Sequence, residues 1–192
     1  MKILIMRLQR AYRLFLCLLL GIERWHASSE ERHPYRKEIL RRLQSQKPDA
    51  LLEIGCGLGD ILCRVMARQR LGGDVSTRVL WAARLSHPWH WLVNGANFRK
   101  MSLGDPVQGS FDSVVCVNFI HLIAPADLRT HLSTLVRDNL APGGLLVFDV
   151  VRNPQYRFNH DSVYLLEGLD LQVEVMGGFE FGRSLVFARK AY

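Results

Sequence analysis

Leu51-Leu-Glu-Ile-Gly-Cys-Gly-Leu-Gly-Asp60 decides how the rest of this chain is read. An apolar run carrying one acid, Glu53, ends in a Gly-x-Gly-x-Gly turn, Gly55-Cys56-Gly57-Leu58-Gly59. Such a run reads as a buried strand. Glycines lack the Cβ that would hold a ligand away from the main chain, so the turn lets a nucleotide-like group approach backbone. A glycine triplet alone occurs in many settings, so the order of the pieces that follow carries the argument.

After the glycines, Ile61 to Arg68 has helical apolar spacing, and Gly72-Gly-Asp-Val-Ser76 then places an acid, Asp74, fifteen residues past Gly59 at the expected end of a second strand. Thr77 to Leu85 predicts a helix capped by Ser76 or Thr77. Trp89 to Val93 is read as a third strand, followed by Asn94-Gly-Ala-Asn97. Phe111 to Val117 is a β-branched run of strand length, and Asn118-Phe-Ile-His-Leu122 leaves its end. Asp127 to Leu140 predicts a helix stopped by Ala141-Pro-Gly-Gly144, with a strand at Leu145 to Val151. Two β-rich runs, Leu171 to Met176 and Ser184 to Ala188, close the chain. Strands alternating with helices at this spacing predict an α/β fold with a doubly wound, mostly parallel sheet.

In this order and spacing, Glu53-Ile-Gly-Cys-Gly-Leu-Gly59, Gly73-Asp-Val-Ser76, Phe111-Asp-Ser-Val-Val-Cys-Val117 and Leu140-Ala-Pro-Gly-Gly-Leu-Leu-Val147 resemble the core of a small class I S-adenosylmethionine-dependent methyltransferase. The resemblance runs from about Asp49 to the C-terminus. It implies a Rossmann-like seven-stranded sheet with the last strand antiparallel, S-adenosyl-L-methionine as cofactor and a small-molecule methyl acceptor. It also implies roles. Gly55, Cys56, Gly57 and Gly59 give backbone access, Asp74 with Val75 takes the ribose hydroxyls, and Glu53 sits beneath the loop near the methionine amino group. Each acid has a plainer alternative, Asp74 as a turn acid or helix cap and Glu53 as a partner of loop amides. The family often places an acid after the third strand, against the adenine. This chain offers Ala96 and Asn97 there, an amide carbonyl or backbone in place of a carboxylate. Asn118 follows the fourth strand, and His121 leaves it toward the site, either as a general base or as a ring packed behind the cofactor. No Asn-Pro-Pro-Tyr-like run stands at the fourth strand, which argues against adenine N-methylation in nucleic acid.

Two other readings share parts of the pattern. A nicotinamide-dependent dehydrogenase would have the strand, glycines and later acid, but Asp60 stands where its third glycine belongs. A methyltransferase-like fold serving only as an interaction module would keep the architecture without turnover.

Charge is distributed unevenly. Residues 1–48 hold eleven Lys/Arg and four Asp/Glu, net +7, while the remainder carries fourteen of each. The chain therefore divides into a basic, apolar N-terminal arm and lid over 1–48 and a methyltransferase domain over 49–192. In the arm, Lys2, Arg7, Arg10 and Arg13 precede an apolar stretch, Leu14 to Ile22. No Ala-x-Ala-like cleavage site follows, and the nine residues bracketed by Arg13 and Glu23 are too few to cross a bilayer, which takes about 20. The arm reads as a helix that lies on an anionic membrane, meets a partner, or folds onto the domain's own core. It lacks the aromatic pattern of a nucleic-acid surface. This arm is the reason to expect a lipid-linked, saccharide or quinone-like acceptor, methylated on oxygen or nitrogen. Between arm and core, Trp25 to Lys37 would form a lid, with Tyr35 and Arg36 reaching the methionine carboxylate, or Pro34 would simply start a helix with a solvated basic face. His26 and His33 face either the substrate or solvent. Cys17, Cys56, Cys63 and Cys116 are scattered, with neither metal spacing nor a disulfide framework, which fits a reducing cytoplasm.

Overall fold

The computed structural model describes residues 2–27 and 33–192. Seven strands form one sheet: β1 (Ala50–Ile54), β2 (Gln69–Asp74), β3 (Ala96–Lys100), β4 (Phe111–Cys116), β5 (Leu140–Val151), β6 (Leu171–Phe179) and β7 (Arg183–Lys190), in the order β3-β2-β1-β4-β5-β7-β6. The first five run parallel, and β7 is inserted antiparallel between β5 and β6. Every residue of β1 is buried, as expected of a central strand covered on both faces. Its start is pinned to β4 by Asp112, whose carboxylate accepts from the amides of Asp49 and Ala50 at 2.8 Å.

Among the described residues there are six α-helices: α1 (Lys2–Leu20), α2 (Pro34–Gln46), α3 (Thr77–Ser86), α4 (Pro88–Leu92), α5 (Pro125–Thr134) and α6 (Ser162–Leu166). Ser76 caps α3, its hydroxyl accepting from the Val79 amide. One apolar cluster joins Leu52, Val114, Leu146 and Phe148 to Leu128 and Leu132 of α5. On the opposite face, Leu51, Val115 and Val147 pack with Ile39 and Leu43 of α2 and Leu80 of α3.

Three expectations from sequence are corrected. Ile61 to Arg68 makes turns rather than a regular helix. Only isolated helical bonds form, Cys63 N to Gly59 O and Val65 N to Ile61 O, while the Leu62 amide between them goes to the Glu53 carboxylate at 2.8 Å. Trp89 to Val93 is helical, begun by Pro88 at its first position, so the third strand falls later, at Ala96–Lys100. The helix before β5 stops short of Leu140, passing through a π-helical turn at Leu135–Asn139. Lys190 of β7 donates to the carbonyls of Val136 and Leu140, and Ala141 to Gly144 already belong to β5.

The glycine pair in β2 follows from packing. A Cβ on Gly72 would stand 2.9 Å from Leu62 and 3.1 Å from Phe98, and one on Gly73 would stand 3.0 Å from Met101. β2 can pass beneath the turns that carry the glycine loop only because it has no side chains there.

The first helix lies against the domain. Leu16 and Cys17 are buried, the Tyr12 hydroxyl donates to Leu85 O, and Arg13 pairs with Asp60.

Candidate active site

A cavity of about 730 Å³ opens at the carboxyl ends of β1, β2 and β4. This is the crevice where strand order reverses between β1 and β4, the usual place for a ligand in an open α/β sheet. It brings together Tyr35, Arg36, Glu53, Gly55, Cys56, Gly57, Asp74, Val75, Asn118 and His121. Gly59, Ala96 and Asn97 lie outside it. Gly59 is packed against Phe98, whose ring would stand 3.0 Å from a Cβ there. Ala96 and Asn97 pair with Arg70 and Leu71 at the amino end of β3, far along the strand from the cavity, because β3 begins later than its apolar neighbours suggest. The wall at the end of β3 is Met101-Ser102-Leu103. The acid that follows, Asp105, turns back to accept from the Ser102 amide at 2.8 Å.

Asp74 ends β2 with both oxygens engaged by main chain: Oδ2 accepts from Gly57 N at 3.2 Å and Oδ1 from Ser76 N at 2.9 Å. These bonds fix the carboxylate between the glycine loop and α3 while each oxygen keeps a lone pair for a ligand. Glu53 lies beneath the loop and is fully buried. Burial pushes its carboxyl up to about 8, against the Leu62 amide, which favours the ionised form, while Asp60 adds repulsion.

Gly55 requires its left-handed backbone, with φ +71°, and a Cβ there would overlap the Phe119 ring. Gly55→Ala is expected to cost about 1–3 kcal/mol through strain and displacement of Phe119. Urea unfolding of the variant measures it.

Asp60, just past the loop, is held by three basic groups. Arg13 of α1 donates to both its oxygens, at 2.6 and 3.1 Å, Arg36 of α2 lies at 3.5 Å and His87 at 3.7 Å. Burial alone would raise its carboxyl, but His87, Arg13 and Arg36 outweigh it and hold the group well below the usual carboxylate range. The Arg36 nitrogen that faces Asp60, Nη1, is buried and makes no hydrogen bond, so its only partner there is the Asp60 charge.

On the far wall, residues that sequence reasoning missed organise the ones it found. Asp149 of β5 and Arg183 of β7 form a buried ion pair. Asp149 accepts from the Asn118 amide at 2.7 Å, and Arg183 donates to Asn118 Oδ1 at 3.0 Å. Asn118 is thereby held in a left-handed conformation, φ +68°. The Arg183 guanidinium also lies 4.5 Å from the centre of the buried Tyr35 ring. Asp149 sat inside the apolar run Leu145 to Val151 and Arg183 just before the run Ser184 to Ala188, and the one available signal was the charge at Asp149 within an otherwise apolar strand.

His121 lines the cavity on a 3₁₀ turn, Ile120–Leu122, its ring 4.2 Å from that of Tyr156. Its Nδ1 is buried and without a partner. Burial first, then the Arg183 and His160 charges, lower its pKa, which favours the neutral imidazole. His26 stacks on Trp25 at the mouth, 3.6 Å from where a Gly57 Cβ would stand. Burial likewise lowers its pKa. His33, placed at sequence level on the same lid, pairs with Glu180 at 3.2 Å. Residues 28–32 of the expected lid lie outside the described residues.

All four cysteines are buried. Burial raises each thiol, Cys63 to about 12 and Cys56 well above its ordinary value. Among the described residues no group of His, Cys, Asp or Glu has the arrangement of a metal site.

The arrangement fits S-adenosylmethionine: a carboxylate fixed by main chain, glycine backbone along the loop and a guanidinium all line one cavity. A methyltransferase-domain family profile matches residues 52–146, from β1 into β5. Among solved structures, the chain resembles magnesium protoporphyrin IX methyltransferase from Synechocystis PCC 6803 with bound S-adenosylmethionine, with a TM-score of 0.70 at 15% identity over 82% of this chain and 79% of that one. It resembles the N-methyltransferase NodS from Bradyrhizobium japonicum WM9 at 20% identity and a TM-score of 0.66, over 83% and 98% of the two chains. The amino pentose methyltransferase CalS10 from Micromonospora echinaspora gives a TM-score of 0.65 at 15% identity, over 83% and 91%. No protein of curated function matches in sequence. The reversed β7 also departs from the 3-2-1-4-5-6 order of the dinucleotide-binding dehydrogenases. With a methyltransferase-domain profile match running through the parallel strands and its last strand inserted in reverse, the chain has the fold of the class I S-adenosylmethionine-dependent methyltransferases.

Proposed function

We propose that this protein transfers a methyl group from S-adenosylmethionine to an oxygen or nitrogen of a small-molecule acceptor bound in the same cavity. The observation that carries the reading is the convergence of Asp74, Glu53 and Arg36 on one cavity around the glycine loop. In this reading Asp74 accepts the ribose hydroxyls and Glu53 faces the methionine amino group. Arg36 takes the carboxylate, beside Tyr35. Cys56, Val75 and Asn118 supply wall, and Met101 to Leu103 replace Asn97 at the adenine.

The cofactor, when bound, supplies an activated methyl on a sulfonium, so the protein's main task is alignment of two reactants, worth roughly 7–11 kcal/mol in favourable cases. His121 is our candidate to remove an acceptor proton, since it lines the cavity and burial favours its neutral imidazole. The structural neighbours act on a magnesium porphyrin and an amino pentose, and one is an N-methyltransferase. They support a small acceptor without choosing between oxygen and nitrogen.

Titration of the full-length protein with S-adenosylhomocysteine is expected to give micromolar binding. Asp74→Ala is expected to weaken it about 10- to 100-fold, the loss of one charge-assisted hydrogen bond to the ribose. Asp74→Asn keeps one accepting oxygen, enough for the Gly57 or the Ser76 amide but not both, and urea unfolding of both variants separates loss of the ligand contact from collapse of the loop. Absence of binding by a folded protein would remove the proposal.

A further inference from the structure

We propose that α1 and α4 together form a face that docks the enzyme onto an anionic lipid bilayer. α1 packs inward through Leu16 and Cys17, and the opposite side of the same helix is an uninterrupted apolar stripe of Leu4, Leu8, Tyr12, Phe15, Leu18 and Leu19. Leu8 is 62% exposed and Phe15 57%. At positions i, i+4, i+8, i+11 and i+15 these residues share one side of a helix. The stripe does not end with α1. Tyr12 donates to Leu85 O, and Arg13 lies 3.2 Å from His87, the residue before α4. α4, which starts directly after His87, exposes Trp89 and Leu92.

Charge identifies the occupant. Residues 1–22 contain no Asp or Glu, and neither do residues 75–104, the segments that build this face. Arg7 and Arg10 are exposed on α1. A partner helix or a second copy would require only apolar area. A face of leucines, phenylalanine and tryptophan, edged by arginines and free of carboxylates, complements the headgroup and acyl boundary of an anionic leaflet. No helix of the described residues is long and apolar enough to cross a membrane, so the enzyme would lie on the bilayer.

Docking there sets where the acceptor comes from, a consequence that rests on the proposed methyl transfer while the docking itself does not. α1 runs through Gly21 into the 3₁₀ turn Arg24–Ala27, whose Trp25 and His26 line the cavity mouth. The mouth would open beside the membrane, toward an amphiphilic acceptor.

Co-sedimentation of the full-length protein with vesicles tests this. Phosphatidylcholine vesicles containing 30% phosphatidylglycerol should capture it, and pure phosphatidylcholine should capture much less, with anionic binding weakened at high salt. Arg7→Gln and Arg10→Gln should each reduce the partition about 5-fold. Phe15→Asp should abolish it, with S-adenosylhomocysteine binding unchanged in all three variants because none touches the cavity. Equal partition into both vesicle types, absence of partition, or a Phe15→Asp variant that binds like the parent would overturn the proposal. So would a stable dimer that Phe15→Asp dissociates and vesicles do not compete with. Vesicle binding by a protein that does not bind S-adenosylhomocysteine would support the docking face and overturn only the methyl-transfer reading.

Discussion

Asp149→Ala is expected to lower the stability of the folded protein by about 3–5 kcal/mol, as breaking one side of a buried ion pair does. The lost Coulombic attraction is the smaller part. The larger part is that Arg183, almost fully buried, would keep its charge with no carboxylate to oppose it. Burial already lowers the pKa of this guanidinium, with Tyr35 opposing that shift and Arg36 adding to it. The same substitution frees the Asn118 amide, which holds an unfavourable left-handed backbone against the cavity. The expected signature is a large drop in the urea midpoint together with weaker binding of S-adenosylhomocysteine. Replacing both partners, Asp149→Leu with Arg183→Met, removes the uncompensated charge and should recover much of the stability without recovering the binding, because Asn118 and Tyr35 lose their supports. Urea unfolding and calorimetric titration on the three proteins separate these effects.

Glu53→Gln should do the reverse, stabilising the ligand-free protein. The Glu53 carboxyl is raised from 4.5 to about 8 in the folded state. Below pH 4.5 it is protonated in folded and unfolded chains alike, and the substitution should be close to neutral. As pH rises from 4.5 toward 8 the unfolded chain ionises while the folded one resists, so wild-type stability falls across that window. A glutamine, neutral throughout and still able to accept from Leu62, escapes the loss. The gain should reach about 2–4 kcal/mol above pH 8 and shrink toward zero at pH 5. Thermal unfolding across that range measures it. If Glu53 meets the methionine amino group as proposed, the stabilised variant should bind S-adenosylhomocysteine more weakly. A group that costs stability without ligand and contributes affinity with it is what a binding site, rather than a core, would retain.

These two predictions rest on residues of different legibility. Glu53 and Asp74 could be found from sequence because each sits at a fixed place relative to a glycine turn, where local geometry leaves few options. Strand β3 was misplaced because Trp89 to Val93 is as apolar as a strand, and only the proline before it signals a helix start. That one displacement carried Asn97 away from the cavity and hid Met101 to Leu103. Asp149 and Arg183 were out of reach for another reason. Their roles depend on β7 turning back beside β5, a pairing between residues thirty-four apart that no local pattern encodes. The arm was legible in composition, with its apolar run and arginines, but the split of α1 into one packed and one bare side needed the fold.

The four native thiols have a practical consequence. Each is buried and raised in pKa, so thiolate, the form that attacks an alkylating reagent, is scarce at neutral pH. A single cysteine introduced at an exposed position such as Leu8 or Trp89 would then be the reactive site in a chain that still keeps its own four. A fluorescent or spin label attached there would report on its surroundings without any need to delete buried cysteines, where each replacement would disturb packing.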